Sequence, residues 1–208
     1  ADGSIDPSQW KPLPMAQPSP TPRAVAALTP DRALELLLEG NRRFQASAGV
    51  NPDQSAERRA AVAFGQAPLA IVLACADSRV APEILFDQGL GDLYTVRVAG
   101  NLLSDAVLAT IEYAAGRIAP PLLLVLGHKS CGAVKAAFTT IELGAHAEGH
   151  VQSLVEGLRP VIDHIMATEK DDIVDRAVRY NIAYQLEQTR RRSPSVNRLH
   201  RDGLIKLV

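Results

Sequence analysis

Short apolar segments that alternate with helical ones are the feature that most constrains the fold of this chain. Residues 68–75, 92–98 and 121–127 are strand-length segments dominated by apolar residues. The segments with helical character are 30–44, 56–63, 82–88, 104–117, 131–143, 151–167 and 171–192. Apolar strands separated by helices are typical of a parallel sheet covered on both faces. The sequence therefore predicts an α/β fold with a mostly parallel β-sheet flanked by helices.

The first 29 residues differ from the rest because they contain six of the 14 prolines. Proline lacks a backbone N–H donor and favours extended chain, so this stretch is predicted to be an N-terminal arm. It is either a solvated tether or a segment that packs on another subunit. Regular structure is expected from Thr29, a favourable helix N-cap, and Pro30. We therefore expect an arm, 1–29, and a catalytic domain, 30–208, whose last strand, within 204–208, is incomplete.

Composition excludes several classes of function. The net charge is −1, with 47% apolar and 22% charged residues, which gives no reason to expect binding to nucleic acid. No apolar run approaches the roughly 20 residues that span a bilayer. We expect a soluble protein without a membrane span. The chain begins at Ala1, which fits export to a periplasm or lumen after removal of a leader, but equally a cytoplasmic protein.

Two polar loops follow predicted strands and carry both cysteines of the chain. The first loop begins at Cys75 and continues through Asp77 and Arg79, and the second contains His128 and Cys131. Ligands of open parallel sheets bind at the carboxyl ends of the strands, where the strand order reverses. If the second strand lies on the far side of the first, the two loops meet at such a reversal.

Two thiolates and one imidazole form a three-ligand zinc set that leaves a fourth position for chemistry. Sulfur ligands also disfavour magnesium and calcium. The alternatives are a disulfide between Cys75 and Cys131 or two buried, inert thiols. The spacing of His128 and Cys131, three apart at a strand-to-helix turn, favours zinc without excluding them.

Asp77 and Arg79 allow two interpretations. Asp77 could accept a hydrogen bond from water at the metal while Arg79 keeps it ionised and oriented. Equally, the two could form a structural ion pair that stabilises the loop. Spacing alone does not separate these interpretations.

A set of motifs in a fixed order resembles the β-class carbonic anhydrases across roughly residues 30–208. The motifs are Cys75-Ala-Asp-Ser-Arg-Val, Phe86-Asp-Gln-Gly-Leu-Gly-Asp, Val96-Arg-Val-Ala-Gly-Asn101 and Gly127-His-Lys-Ser-Cys-Gly-Ala133. The resemblance implies reversible hydration of carbon dioxide to bicarbonate and a proton by zinc-bound hydroxide. It also implies a homodimer or higher homo-oligomer. Hydrolysis of carbon disulfide or carbonyl sulfide is the alternative reaction, and an inactive zinc-binding scaffold is the alternative to an enzyme.

The resemblance assigns roles to six residues. It implies one Zn²⁺ per chain on Cys75, His128 and Cys131, with Asp77 and Arg79 as catalytic residues. Gln88 resembles a glutamine that, in one subtype, contacts substrate, either in its own site or in that of the neighbouring subunit. In another subtype the aspartate itself occupies the fourth zinc position. The sequence leaves open whether Asp77 does so.

Overall fold

The computed structural model describes residues 28–208. Its four strands are β1 (Ala70–Ala74), β2 (Leu93–Arg97), β3 (Leu122–Leu126) and β4 (Lys206–Leu207). They form one sheet in the order β2-β1-β3-β4, and every neighbouring pair is parallel. The predicted α/β fold with a parallel sheet is therefore confirmed.

Eight α-helices surround the sheet in this part of the chain. They are α1 (Pro30–Gln45), α2 (Ala56–Ala61), α3 (Pro82–Leu85), α4 (Asp105–Tyr113), α5 (Gly132–Glu142), α6 (Val151–Thr168), α7 (Ile173–Arg192) and α8 (Pro194–Arg201). As predicted, Thr29 caps α1, with its hydroxyl accepting the Arg32 N–H at 3.2 Å. Ser193 ends α7 and caps α8, whose first residue is Pro194. The sequence did not separate α8 from its surroundings.

The helix predicted over 104–117 changes its winding near its end. After α4, residues Ala114–Ile118 form a wider π-helical turn that ends at Ala119 with φ 57°. The Ala119 N–H bonds the carbonyl five residues back, on Ala114. Pro120 disfavours helical backbone at the residue before it, so the chain turns there and enters β3.

The two faces of the sheet are buried under different helices. Ala70 and Val72 of β1 face α1, where Ala33 and Leu37 are buried. Ile71 and Leu73 of β1, with their neighbours on the adjacent strands, face α4, α7 and α8. This alternation explains why the central strands are apolar throughout, since neither face contacts water.

The strand order reverses between β1 and β3. The chain leaves β1 for β2 on one side and then crosses back to β3 on the other side. The loops that follow β1 and β3 are therefore neighbours at the carboxyl edge of the sheet, as the sequence predicted.

Three expectations concern the ends of the chain and the membrane. The arm, 1–29, lies outside the described residues except for Leu28 and Thr29, so the division into arm and domain stays a prediction. The last strand is present as β4, which pairs with β3 through Leu122–Lys206 and Leu123–Leu207. Within residues 28–208, no helix has the length and apolarity needed to cross a membrane.

Candidate metal centre

Three residues with metal-binding side chains converge where the sheet order reverses. Cys75 directly follows β1, His128 lies two residues after β3, and Cys131 immediately precedes α5. Because β1 and β3 are adjacent and parallel, their carboxyl ends bring the two loops together. One ligand atom from each residue lies within 4.8 Å of the others. The structure thus groups the three predicted ligands.

The two thiols are free and lie too far apart for a disulfide. The Sγ atoms of Cys75 and Cys131 are 3.9 Å apart, and both residues are buried. A disulfide needs about 2.05 Å. Two sulfurs about 2.3 Å from one tetrahedral zinc ion would be separated by about 3.8 Å. The separation therefore fits a shared zinc ion.

His128 presents one ring nitrogen to the same point. Its Nδ1 lies 3.0 Å from the carbonyl oxygen of Lys129, which can only accept, so Nδ1 carries the proton. The lone pair is then on Nε2, which is buried and has no hydrogen-bond partner among residues 28–208. A buried nitrogen without a partner is costly unless something else binds it. Backbone contacts that fix the ring in this way are usual for zinc-bound histidines.

Cys131 lies at the N-terminal end of α5. Burial raises the pKa of its thiol, and the backbone N–H groups of Ala133 and Val134 act in the opposite direction. A bound divalent cation removes this burial penalty, since it binds the thiolate form. The donor set of two sulfurs and one imidazole therefore fits zinc.

Asp77 and Arg79 form a closely paired unit beside these ligands. The Arg79 side chain donates from Nε to Oδ1 at 2.9 Å and from a terminal nitrogen to Oδ2 at 2.6 Å. The Arg79 backbone N–H also donates to Oδ1 at 3.0 Å. These hydrogen bonds hold the pKa of Asp77 well below its usual range, so it is a carboxylate at neutral pH.

The position of Asp77 bears on the fourth ligand. Its Oδ2 is 3.9 Å from His128 Nε2, yet Asp77 is not a member of the three-residue ligand group. Both of its oxygens are instead bonded to Arg79. In this conformation Asp77 lies beside the ligand group and does not complete it.

Arg97 is a site-supporting residue that our sequence interpretation missed. From the end of β2 it donates to the carbonyl oxygen of Cys75 at 3.0 Å and to that of Asp77 at 2.6 Å. It thereby fixes the backbone of the first loop. The signal in the sequence was a cationic residue at the end of an otherwise uncharged strand, Leu93–Arg97.

Gln88 lies away from the metal centre within the chain. It follows α3, and its amide donates to the carbonyl oxygen of Phe86 at 2.9 Å. It lines a cavity of about 530 Å³ together with Asp53, Asp87 and other residues. One chain therefore does not bring Gln88 to Cys75, His128 and Cys131.

A comparison with known families agrees with this geometry. The family model described as "Carbonic anhydrase" matches residues 70–208, which is more than half of the chain. The chain belongs to the β-carbonic anhydrase family. The matched region includes Cys75, His128 and Cys131, together with Asp77 and Arg79.

Curated relatives support the same membership. Carbonic anhydrase 2 of Mycobacterium tuberculosis is 50% identical over 133 residues, which are 64% of this chain and 64% of that protein. This β-carbonic anhydrase chain thus matches less than two thirds of that relative's length. A carbonic anhydrase of Pseudomonas aeruginosa is 30% identical over 181 residues, covering 82% of this chain and 79% of the relative.

Solved β-carbonic anhydrases have a similar fold. The β-carbonic anhydrase CcaA is 25% identical, with a TM-score of 0.62 over 84% of this chain and 87% of its own. The Coccomyxa enzyme, solved in complex with acetazolamide, is 28% identical, with a TM-score of 0.60 over 84% of this chain and 79% of its own.

Proposed function

We propose that this chain is a zinc-dependent carbonic anhydrase that catalyses the reversible hydration of carbon dioxide to bicarbonate and a proton. The observation that carries the proposal is the convergence of Cys75, His128 and Cys131 beside an ionised Asp77. The two sulfurs have a zinc-like separation, and the buried His128 Nε2 needs a partner. Family membership supports the choice of reaction.

In this proposal one Zn²⁺ per chain binds to Cys75, His128 and Cys131. Zinc in such a set supplies the Lewis acidity that makes water nucleophilic near neutral pH. Two thiolates donate much charge to the ion, so the protein must assist with a hydrogen-bond acceptor near the reacting water. Asp77 is suited to this task because it stays anionic and is 3.9 Å from the imidazole Nε2.

Arg79 has the proposed role of fixing Asp77. Its two side-chain hydrogen bonds restrict the carboxylate to one orientation, so a remaining lone pair can accept from water and orient the attack on carbon dioxide. Arg79 also approaches the carbonyl oxygen of Ser130 at 3.4 Å, which links the two loops that carry the ligands. The site is thereby organised before substrate arrives.

We also propose a homodimer or higher homo-oligomer. Strand β2 pairs with β1 on one edge, and its other edge has no strand partner among the described residues. Ile84 and Leu90, near this edge, are 63% and 41% exposed. An unpaired edge with apolar neighbours favours association. A substrate role for Gln88 would require such a second copy, because Gln88 lies outside its own chain's metal centre.

The competing functions have less support. An inactive scaffold does not require Asp77 and Arg79 to be oriented beside the ligands, yet both are held there. Nothing in residues 28–208 favours carbon disulfide or carbonyl sulfide over carbon dioxide as the substrate.

The test combines metal analysis with stopped-flow hydration of carbon dioxide. We expect one zinc per chain and a hydration rate that disappears on zinc removal and returns on reconstitution. Cys131→Ser should lose both zinc and activity. The matched control is Asp87→Asn, since Asp87 contacts no metal ligand. A fully zinc-loaded, folded protein with no rate above background would refute the proposal.

A further inference from the structure

A continuous path of hydrogen bonds runs from α7 to the sulfur of Cys75. The amide of Gln185 donates to Asn181 Oδ1 at 2.9 Å, and Asn181 Nδ2 donates to the carbonyl oxygen of Gly100 at 2.9 Å. The N–H of Gly100 in turn donates to Cys75 Sγ at 3.3 Å. We call Gln185, Asn181 and Gly100 the amide relay.

The relay lies within the core, where polar side chains are unfavourable unless they form hydrogen bonds. Asn181 and Gln185 are 1% and 2% exposed, and their helix neighbours Ala177 and Val178 pack in an apolar cluster that also contains Cys75. Burying two amides there costs free energy unless their polar groups are bonded. Gln185 satisfies a further group, since its Oε1 accepts the Leu103 N–H at 3.1 Å.

The backbone that the relay holds is in an unfavourable conformation. Gly100 and Asn101 have φ values of 69° and 44°, two consecutive residues in the left-handed region. Glycine adopts this region readily, but for Asn101 it is costly and persists only where the surroundings fix it. A Cβ on Gly100 would lie 3.4 Å from Ala133 Cβ and 3.5 Å from Leu158 Cδ1, which are ordinary van der Waals contacts, so the turn packs against α5 and α6. Its conformation directs the Gly100 N–H at the thiol sulfur.

We propose that Asn181 is a positioning residue for the metal ligand Cys75. By holding the Gly100 carbonyl, Asn181 fixes the backbone at this residue and with it the N–H that bonds Cys75 Sγ, and thereby sets how strongly this sulfur donates to the metal. The inference rests on the proposed zinc site. Hydrogen bonds to ligating sulfurs tune metal sites, and residues beyond the ligands affect metal affinity by about 10- to 100-fold.

A matched pair of variants on one helix tests this role. Asn181→Leu removes the relay while keeping the branched shape and the number of side-chain heavy atoms, although leucine is the larger residue. Thr189→Val is the control, because Thr189 is also fully buried on α7 but its hydroxyl bonds, among the described residues, only the backbone carbonyl oxygen of Gln185 one turn earlier in the helix. Asn181→Ala serves as a second variant should the leucine fail to fold, since the smaller side chain leaves room for a water.

The readouts follow the metal itself and require no activity. We expect zinc transfer to a chelator to be about tenfold faster in both Asn181 variants, because a sulfur that is less firmly positioned and has lost the Gly100 N–H is protonated and displaced more readily, and unchanged in Thr189→Val. In cobalt-substituted protein, the sulfur-to-cobalt charge-transfer band should move to longer wavelength in the Asn181 variants alone, because a sulfur with a weaker hydrogen bond is a stronger donor.

The outcomes separate this inference from the proposed function. If a folded Asn181 variant has the wild-type band position and zinc release rate, Asn181 is merely structural and the inference is wrong. The same holds if Thr189→Val moves both readouts equally. If the wild-type protein itself binds no zinc, the proposed function fails instead.

Discussion

Two of the four aspartate–arginine ion pairs within residues 28–208 have the same chemistry and different surroundings. Asp77 and Arg79 are two residues apart in one loop, and the Arg79 side chain is 63% exposed. Asp87 and Arg43 are 44 residues apart and join the loop after α3 to α1. The side chain of Asp87 is 2% exposed. One pair lies at the metal centre, and the other links two parts of the fold.

The two carboxylates differ in how much hydrogen-bond acceptor capacity remains unused. Asp87 accepts from Arg43 and from the backbone N–H groups of Val50 and Asn51, so its oxygens are fully used inside the protein. Among residues 28–208, Asp77 accepts hydrogen bonds from Arg79 alone, and its Oδ2 remains near His128. A saturated, buried pair can only stabilise the fold, whereas an unsaturated one beside metal ligands can bind a reacting group.

Of the substitutions in the two pairs, Asp77→Asn should have the largest effect on catalytic activity. We expect kcat/KM for carbon dioxide hydration to fall by about 100-fold or more, because the amide is a poorer acceptor and no longer fixes Arg79. Zinc content and thermal stability should stay close to wild type. The measurements are stopped-flow hydration, metal analysis and thermal unfolding.

Two results would contradict this interpretation of Asp77. Unchanged activity in zinc-loaded Asp77→Asn would remove Asp77 from the mechanism. A loss of stability as large as that of Asp87→Asn would show that both pairs serve the fold.

Asp87→Asn should show the opposite pattern. Removing the charge leaves Arg43 without its partner and weakens the links to Val50 and Asn51. Breaking a buried ion pair costs about 3–5 kcal/mol, and since Arg43 is partly exposed we expect about 2 kcal/mol here. Activity per folded, zinc-loaded molecule should remain within about twofold of wild type. Denaturant unfolding and the hydration assay measure the two quantities.

The same variant should change the response to acid. Burial opposes ionisation of Asp87, but hydrogen bonds from Arg43, Val50 and Asn51 outweigh it and lower its pKa. A lowered pKa contributes stability that is present above the unfolded value, about 3.9, and is lost as pH falls through the folded value. Below about pH 4 the wild type should therefore lose stability more steeply than Asp87→Asn. Parallel profiles would show that Asp87 is not ionised in the fold.

Much of the fold could be predicted from local sequence patterns. Apolar segments predicted β1, β2 and β3, and Thr29 with Pro30 predicted the start of α1. These signals depend only on residues that are neighbours in sequence. The turn at Gly100 and Asn101 depends on Asn181, 81 residues away from Gly100. No local pattern reports such a contact.

Part of the metal centre could also be predicted from the sequence. Cys75, His128 and Cys131 were recognisable because their donor atoms and loop positions indicate zinc chemistry. The amide relay was not, since Asn181 and Gln185 are four residues apart on α7, a spacing equally typical of a solvent-facing helix surface. Only the packing shows that this face is buried.

Substitution of Gln88 should have the smallest effect of these variants, and its effect depends most on whether the protein is an oligomer. Within residues 28–208 the Gln88 side chain bonds only the carbonyl oxygen of Phe86, so Gln88→Ala should hardly affect stability or zinc content. If a second copy brings Gln88 to substrate, the KM of Gln88→Ala should rise about fivefold, because one hydrogen bond to substrate is lost, and kcat should change little.

The matched control for Gln88 is Gln54→Ala, since both glutamines line one cavity beside β2 and Gln54 is exposed. Kinetics of both variants should be measured together with molar mass in solution. A raised KM in Gln88→Ala alone, with the oligomer intact, supports substrate contact across subunits. If KM is unchanged, Gln88 does not contact substrate, and substrate binding depends on groups nearer Asp77.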